Sequence, residues 1–150
     1  MFYKTTAKKT NLNKEPIMEK REIKNEKLPY LAFPWALHIK DAKEFLFISG
    51  VPPMNEKGKV VESDVMGQFI YEVERIKEML NDAGMELSDV VFLGITVTEK
   101  ANLYENWSDF IKEYLKYFPN TPGPAGGTLR IVSGLSHPKM LIEIEATAVK

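Results

Sequence analysis

The sequence contains no cysteine, and this absence excludes disulfides, thiolate catalysis, zinc–thiolate sites and iron–sulfur clusters. Histidine is nearly as scarce, because only His38 and His137 occur. These two are not at the spacing of metal ligands, and no carboxylate cluster accompanies them. We therefore predict no metal site, and the lack of cysteine fits a reducing compartment.

Long apolar runs are also missing, since no stretch approaches the ~20 apolar residues of a membrane-spanning helix. The charged N-terminus lacks the apolar segment of a signal peptide. Hydrophobic residues make up 44% of the 150 residues and charged residues 27%, which is typical of one globular domain. These features predict a cytoplasmic protein with no membrane partner.

Neither charge sign dominates, because the formal net charge is −1, but the distribution is uneven. Residues 1–29 hold eight Lys or Arg and four Glu, a net charge of +4 that leaves −5 for the rest. We interpret 1–29 as a basic, polar N-terminal extension and 30–150 as the domain. A basic arm that binds nucleic acid or anionic lipid is the alternative, and Ile17 to Lys27 has the length of a short helix.

Strand patterns recur along residues 30–150. Trp35, Leu37 and Ile39 alternate with their neighbours, which is the period of a half-buried strand. The run EFLFISG at 44–50 is continuously apolar and predicts a strand buried on both faces. Further strands are predicted at 59–62, 90–98, 128–133 and 140–149.

Two amphipathic helices lie between these strands. The first is expected to begin after Ser63 or Asp64 and to end before Gly84. Its apolar residues recur at steps of three and four: Val65, Phe69, Val73, Ile76, Leu80 and Ala83. The second starts near Asn106 or Ser108 and carries an apolar stripe of Trp107, Phe110, Ile111, Tyr114, Leu115 and Phe118. The order β-β-(β)-α-β-α-β-β predicts an α+β fold, a mixed sheet with both helices on one face.

Two helices on one face leave the other face of this sheet uncovered. Because the strands carry Phe, Ile, Leu and Val on both sides, the bare face would expose apolar surface to water. Self-association is the simplest way to cover it, so we predict a homo-oligomer.

Few residues outside the predicted core are suited to chemistry. Glu143 and Glu145 lie on one face of the last strand, between bulky apolar neighbours, where a carboxylate must be exposed, paired or functional. Ser49 ends an apolar strand, where its hydroxyl reaches either a ligand or its own backbone. The glycines within 123–127 lead from a helix into a strand, which is not the context of a phosphate loop. A turn, or a close approach of the backbone to a ligand, explains them better.

Several segments, in order, resemble the RidA/YjgF family of reactive-intermediate deaminases, long labelled L-PSP endoribonucleases. They are ISGVPPMNEKGKVV at 48–61, Gln68, the pair Ala83-Gly84, the junction at 88–91 and the C-terminal IEIEATAV. The resemblance covers about residues 30 to 150. It implies a chorismate-mutase-like fold and a homotrimer whose sheets line a central barrel, with a small-molecule cleft between each pair of subunits.

The resemblance also implies an activity: hydrolysis of enamine or imine products of pyridoxal-phosphate dehydratases, such as 2-aminoacrylate, to 2-oxo acids and ammonia. Members of the family use no metal and no cofactor. By position, Glu143 matches the cleft glutamate that positions or activates the hydrolytic water, and Ser49 matches the cleft serine. Trp35 stands where the family usually has tyrosine, so an indole N–H replaces the phenol.

One family residue is missing. The family reads Pro-Ala-Arg before the fifth strand, and that arginine binds the substrate carboxylate as a bidentate pair. This chain reads PAGGT at 124–128, so Gly126 or Gly127 takes the arginine position. Arg130 is not expected to substitute: counted from Gly127 it faces the other side of the strand, and counted from Gly126 it lies ~13 Å along it.

Three functions compete. The first is a RidA-like hydrolase for an enamine or imine other than the usual 2-imino acids, with Gly126, Gly127 and Thr128 contacting an uncharged or larger ligand. The second is a non-catalytic trimer that binds a metabolite or a protein in the same cleft. The third is RNA binding or cleavage, which an acidic domain without an aromatic–basic platform does not favour.

Overall fold

The structure, a computed structural model, describes residues 17–24, 27, 34–119 and 124–150. Its strands are β1 (Glu19–Ile23), β2 (Ala36–Lys40), β3 (Phe45–Val51), β4 (Val90–Thr98), β5 (Ala125–Val132) and β6 (Ile142–Val149). Its helices are α1 (Val65–Asp82) and α2 (Trp107–Tyr117), and short 3-10 turns occupy Leu87–Asp89, Glu99–Ala101 and Leu103–Asn106. In the described part of the chain, neither helix is long and apolar enough to cross a membrane. The sequence interpretations for residues 1–16, 25–26, 28–33 and 120–123 lie outside the described residues.

The main sheet contains four strands in the order β3-β6-β4-β5. β4 and β5 are parallel and are connected by α2, whereas β6 is antiparallel to both β3 and β4. α1 connects β3 to β4, and β6 is inserted between these two strands. The predicted α+β fold with a mixed sheet is therefore confirmed.

Both helices pack on the same face of this sheet. Phe69 of α1 meets Phe110 of α2 edge to face, with ring centroids 4.9 Å apart. From the sheet, alternate residues of β6 point towards the helices, and Ile142, Ile144 and Ala146 are buried there. Burial of large aliphatic and aromatic side chains, each worth about 1.5–3 kcal/mol, stabilises this arrangement.

The local signals that predicted α1 are confirmed at both ends. The Asp64 carboxylate accepts a hydrogen bond from the Gly67 backbone N–H at 2.9 Å, which satisfies one free donor of the first turn. Gly84 follows the helix with φ of +69°, a left-handed conformation that favours glycine.

The structure differs from the sequence interpretation within 17–27. Glu19–Ile23 forms a strand, not a short helix, and pairs antiparallel with β2, so that Glu19 lies opposite Lys40. This two-stranded sheet is separate from the main one. The alternation of half-buried and exposed residues in β1 has period two, and the pairing with β2 is not visible from either segment alone. The boundary at residue 30 stays a prediction.

Two further strand predictions are corrected. Residues 59–62 form no regular strand, because only an isolated bridge between Met54 and Val60 is present there. The fifth strand begins at Ala125, earlier than the predicted 128, because the glycine-containing segment pairs with β4 from Phe92 onwards.

The face of the sheet opposite the helices is apolar and uncovered in the single chain. Phe45 is 59% exposed, Phe47 75% and Phe92 38%. The prediction that β3 is buried on both faces is therefore wrong for one subunit, since only Leu46, Ile48 and Val51 turn inwards. We call the exposed side the outer face, defined by Phe45, Phe47, Phe92 and the β6 residues Glu143, Glu145 and Thr147.

Candidate functional site

Glu143 lies in a polar row that crosses the outer face. Residues that pair across neighbouring strands share a face, and Thr96 of β4 pairs with Glu143 of β6 on one side and with Arg130 of β5 on the other. Glu143 is half-buried. A carboxylate, a hydroxyl and a guanidinium therefore lie in one row across three neighbouring strands.

Gly50 provides the space for the Glu143 carboxyl. A Cβ atom at residue 50 would lie 2.9 Å from Glu143 Cδ, closer than real Cβ contacts allow. Ser49 and Gly50 form a bulge in β3, because these two residues lie between the pairs Ile48–Ala146 and Val51–Ile144 and face only Glu145. The structure thus brings Gly50 to the Glu143 carboxyl, whereas Ser49, the other residue of the bulge, is exposed and lies opposite Glu145.

Arg130 and Glu145 form an ion pair on the same face. Arg130 Nη1 lies 3.3 Å from Glu145 Oε1, and both side chains are about half exposed. Gly94, which pairs with Glu145, leaves room for this contact, since a Cβ there would overlap the Glu145 carboxylate. At this exposure the pair contributes little to stability, and its main effect is to occupy the guanidinium.

The position of Arg130 corrects the sequence interpretation, which took β5 as a regular strand. Gly126 pairs with Leu93 and Leu129 pairs with Ile95, so Gly127 and Thr128 together lie opposite the single residue Gly94. This second bulge shifts the alternation by one residue. As a result Arg130 shares the outer face with Glu143, whereas Gly126 has its register position on the other side.

Gly127 is required by this bulge, because a Cβ there would overlap the carbonyl oxygen of Leu93. Thr128 is exposed beside it. Both residues belong to β5, which lies two strands or about 10 Å from β6. Within one chain they flank the polar row and do not close a pocket around Glu143.

Trp35 lies elsewhere. It immediately precedes β2, its backbone N–H donates to the Ile23 carbonyl at 2.9 Å, and its side chain is 55% exposed. β2 belongs to the separate two-stranded sheet, whereas Ser49 and Glu143 belong to the main sheet.

Behind the sheet, α1 buries two polar side chains. The Gln68 amide donates to the carbonyls of Glu62 and Lys139 and accepts from the Leu141 N–H at 2.7 Å. Glu72, one turn later, is fully buried. Burial, and to a smaller extent the negative charge of Glu143, raise the pKa of Glu72 to about 9.

Sequence reasoning missed Thr96 and Glu72, and it considered Arg130 only as a substitute for the family arginine, without placing it beside Glu143. Thr96 and Arg130 gave no local signal, because strand register and a bulge bring them to Glu143. Glu72 did give one, since it lies three residues after Phe69 and four before Ile76, within the apolar stripe of α1.

The arrangement can polarise or deprotonate a water molecule through Glu143 and can hold a polar ligand through Ser49 and Thr128. It does not resemble a metal site, because the described residues contain no group of three His, Cys, Asp or Glu placed to hold an ion.

Comparisons with known proteins agree with this architecture. The sequence model of the family described as Endoribonuclease L-PSP matches residues 27–150. A RutC family protein of Pyrococcus abyssi is 35% identical over 140 residues, which cover 89% of this chain and 99% of that protein. The 3-aminoacrylate deaminase RutC of Acinetobacter baylyi is 32% identical over 111 residues, covering 71% and 80%. The crystal structure of YyfB, a conserved Rid family protein from Yersinia pestis, superposes with a TM-score of 0.71 at 29% identity, covering 87% and 98%.

Proposed function

The chain belongs to the RidA/YjgF family, described as Endoribonuclease L-PSP, and on this premise we propose that it hydrolyses an enamine or imine of a small metabolite. The observation that carries the proposal is the half-buried Glu143 carboxylate, lodged over Gly50 in a row with Thr96 and Arg130. The name of the Acinetobacter relative points to the same chemistry, because 3-aminoacrylate is an enamine.

In the proposed reaction, Glu143 accepts a proton from a water molecule whose oxygen attacks the imine carbon. The C=N bond becomes a C–N single bond, and Glu143 passes the proton it took from water to the nitrogen. The hydroxyl of the addition intermediate then loses its own proton to the nitrogen through Glu143, so that the C–N bond breaks, the C=O bond forms and ammonia leaves. An enamine reaches the same imine by proton transfer to its carbon. The step consumes one water and needs no oxidant, metal or cofactor, so a single positioned carboxylate is sufficient.

The proposed site needs neighbouring copies of the chain. Thr128 lies two strands from Glu143 within one subunit, and Trp35 precedes a strand of the separate two-stranded sheet. The phenylalanines of the outer face are uncovered in the single subunit. We propose that three copies bury this face and that each cleft combines Glu143 and Ser49 with Trp35, Gly126, Gly127 and Thr128, some of them from the adjoining copy. We propose that this homotrimer carries out the reaction in the cytoplasm.

The proposed substrate differs from a simple 2-imino acid. The family arginine is replaced by glycine, and the Arg130 guanidinium is already paired with Glu145. A substrate carboxylate would have to compete with Glu145 for that cation. An uncharged or larger imine, held by backbone N–H groups near Gly127 and by the Thr128 hydroxyl, fits this face better.

The test is hydrolysis of imines made in situ by an amino-acid oxidase, from both acidic and neutral side-chain precursors. The Glu143→Ala variant should lower the rate of imine loss by about a hundredfold or more, because it removes the proton acceptor. Glu78→Ala is the matched control, since Glu78 is an exposed carboxylate on α1 that pairs with Arg75. If wild type accelerates none of the imines although it is folded and assembled, a non-catalytic ligand-binding trimer is the better description.

A second prediction concerns Gly50. In Gly50→Ala the new methyl group would displace the Glu143 carboxyl, so kcat/KM should fall about tenfold through loss of orientation. The free energy of unfolding should change by less than about 1 kcal/mol, because a side chain can move away. Gly134→Ala is the control, since a Cβ at Gly134 meets nothing within 4 Å. Full activity in Gly50→Ala would show that the position of Glu143 does not matter.

A further inference from the structure

A cavity of about 60 Å³ lies on the helix side of the main sheet, between α2 and the strands β4 and β5. Its inner wall consists of four buried side chains from β4 and α2: Leu93, Ile95, Phe110 and Tyr114. Four half-buried or exposed residues form its rim: Trp107, Ile111, Gly127 and Leu129. The reaction proposed above does not use this cavity.

The cavity exists because β5 has no side chain to fill it at the bulge. Gly126 and Gly127 are consecutive, and a Cβ at Gly127 would overlap the carbonyl oxygen of Leu93. The next side chain on the helix side of β5 is that of Leu129, which pairs with Ile95. Protein interiors are close-packed and contain few voids larger than a water molecule, so a gap of this size beside two glycines is unusual.

The cavity is apolar. None of the described side chains that line it is charged, and the only hydroxyl among them is that of Tyr114. Burial raises the pKa of Tyr114, so this hydroxyl stays neutral at physiological pH. Trp107 stacks on Phe110 with ring centroids 6.1 Å apart, which makes one wall aromatic. A buried water needs about two to four polar partners, so an apolar group is better suited to this space than water.

The cavity opens beside the residues to which we assign ligand binding. Gly127 belongs both to its rim and to the backbone segment of the proposed cleft, and Thr128 follows directly. β5 is the last strand of the main sheet, so a ligand at Gly127 reaches the helix side around this edge without crossing the sheet. Trp107, which is 39% exposed, lies on the rim and is accessible from solvent.

We propose that this cavity, which we call the α2–β5 cavity, binds an aliphatic group of the substrate, and that the preferred imine carries a short alkyl chain of about two to four carbon atoms. The limit follows from the volume of about 60 Å³, which is well below the ~150 Å³ of an apolar cavity that binds benzene. The identity of the ligand as an imine rests on the proposed function, whereas the affinity of the cavity for an apolar group does not.

Binding to the α2–β5 cavity is tested without a substrate. Xenon is the probe, because it enters small apolar cavities. In the full chain with ¹³C-labelled methyl groups, xenon should cause saturable shifts at the methyl groups of Leu93 and Ile95. Ile111→Phe fills the cavity from α2 and should reduce these shifts about fivefold or more. Leu115→Phe is the matched control and should retain them, because Leu115 is also half-buried and lies one turn further along α2, outside the cavity.

A second filling variant guards against a folding defect in the first. Leu129→Phe fills the cavity from β5 and should have the same effect on the xenon shifts as Ile111→Phe. The inference is overturned if xenon does not shift these methyl groups in the wild type, or if both filled variants respond as the wild type does. It is also overturned if xenon binds only to subunits separated by a Phe47→Glu substitution, because an adjoining copy then fills the cavity in the assembled protein.

The dependence of hydrolysis on chain length tests the assignment to the substrate. Imines made in situ by an amine oxidase from ethylamine, propylamine, butylamine and hexylamine carry no carboxylate and differ only in alkyl length. In the wild type, kcat/KM should rise about fourfold for each methylene and level off between butylamine and hexylamine. Ile111→Phe should flatten this rise, and Leu115→Phe should keep it.

The two experiments separate the cavity from the reaction. Equal values of kcat/KM for all these imines in the wild type would overturn the inference while the proposed function stands. Xenon binding that both filled variants abolish, together with no hydrolysis of any imine, would overturn the proposed function and leave the α2–β5 cavity as a site for an aliphatic group.

Discussion

A Phe47→Glu substitution should dissociate the assembled protein into single chains. Phe47 is 75% exposed in the isolated subunit and stacks on Phe45 with ring centroids 6.5 Å apart. In the proposed homotrimer this surface is buried, where each phenylalanine contributes about 1.5–3 kcal/mol. The substitution removes that contribution three times and places three carboxylates in an apolar interface, each at a further cost of several kcal/mol. Sedimentation equilibrium should show a fall from three times the 17.1 kDa chain mass to one.

Tyr104→Glu is the matched control for this experiment. Tyr104 is 74% exposed, nearly the same as Phe47, but it belongs to the 3-10 turn before α2 and not to the outer face. Its replacement should leave the mass unchanged. A wild-type protein with the mass of one chain, or a Phe47→Glu variant that remains assembled, would contradict both the trimer and the intersubunit cleft. Loss of imine hydrolysis in Phe47→Glu, with native circular dichroism, would link assembly to activity.

The parts of this fold that were predicted correctly depend on neighbours in sequence. α1 was found from its apolar stripe, and both its ends followed from a capping side chain at Asp64 and a left-handed residue at Gly84. The mixed sheet followed from the order of elements, since a helix between two strands favours parallel pairing. In each case the physical cause lies within about one helical turn or one connection.

The parts that were missed depend on contacts between distant segments. β1 exists because it pairs with β2, and no residue of 19–23 shows this by itself. The place of Arg130 depends on how Gly127 and Thr128 pass opposite Gly94, and a bulge of one residue reverses the face of every later side chain. The exposure of Phe47 was mispredicted for a related reason. A continuous apolar run predicts that a strand is buried, but it does not distinguish burial within the same chain from burial against another copy.

Glu72 shows the opposite case, a signal that was present and overlooked. A charged residue inside a helical apolar stripe is buried with that stripe, because the apolar side of α1 packs on the sheet and its polar side faces water. The sequence could therefore have predicted a buried carboxyl. It could not have predicted that Glu143 lies on the other side of the sheet, because that requires the order β3-β6 and the glycine in the bulge.

Replacing Glu72 with methionine should stabilise the protein at neutral pH. The folded-state pKa of Glu72 is raised from 4.5 to about 9, so between these values the folded chain binds a proton that the unfolded chain has released. The contribution of Glu72 is thus most favourable below pH 4.5 and is lost as pH rises towards 9, by about 1.4 kcal/mol for each pH unit. At pH 7 the free energy of unfolding of the wild type is therefore about 3 kcal/mol lower than it would be if Glu72 ionised alike in both states. Methionine has a similar length and no titratable group, so Glu72→Met should recover that amount.

The measurement is the free energy of unfolding by urea at pH 5, 7 and 8.5, at one protein concentration because assembly also affects stability. The difference in the free energy of unfolding between Glu72→Met and wild type should grow with pH. The other titrating groups are the same in both proteins, so their contributions cancel in this difference. Glu78→Met, an exposed position on the same helix, should give a difference near zero at all three values. A difference for Glu72→Met that stays constant with pH would mean that Glu72 ionises alike in the folded and unfolded states, and that the folded protein holds no proton on this buried carboxyl.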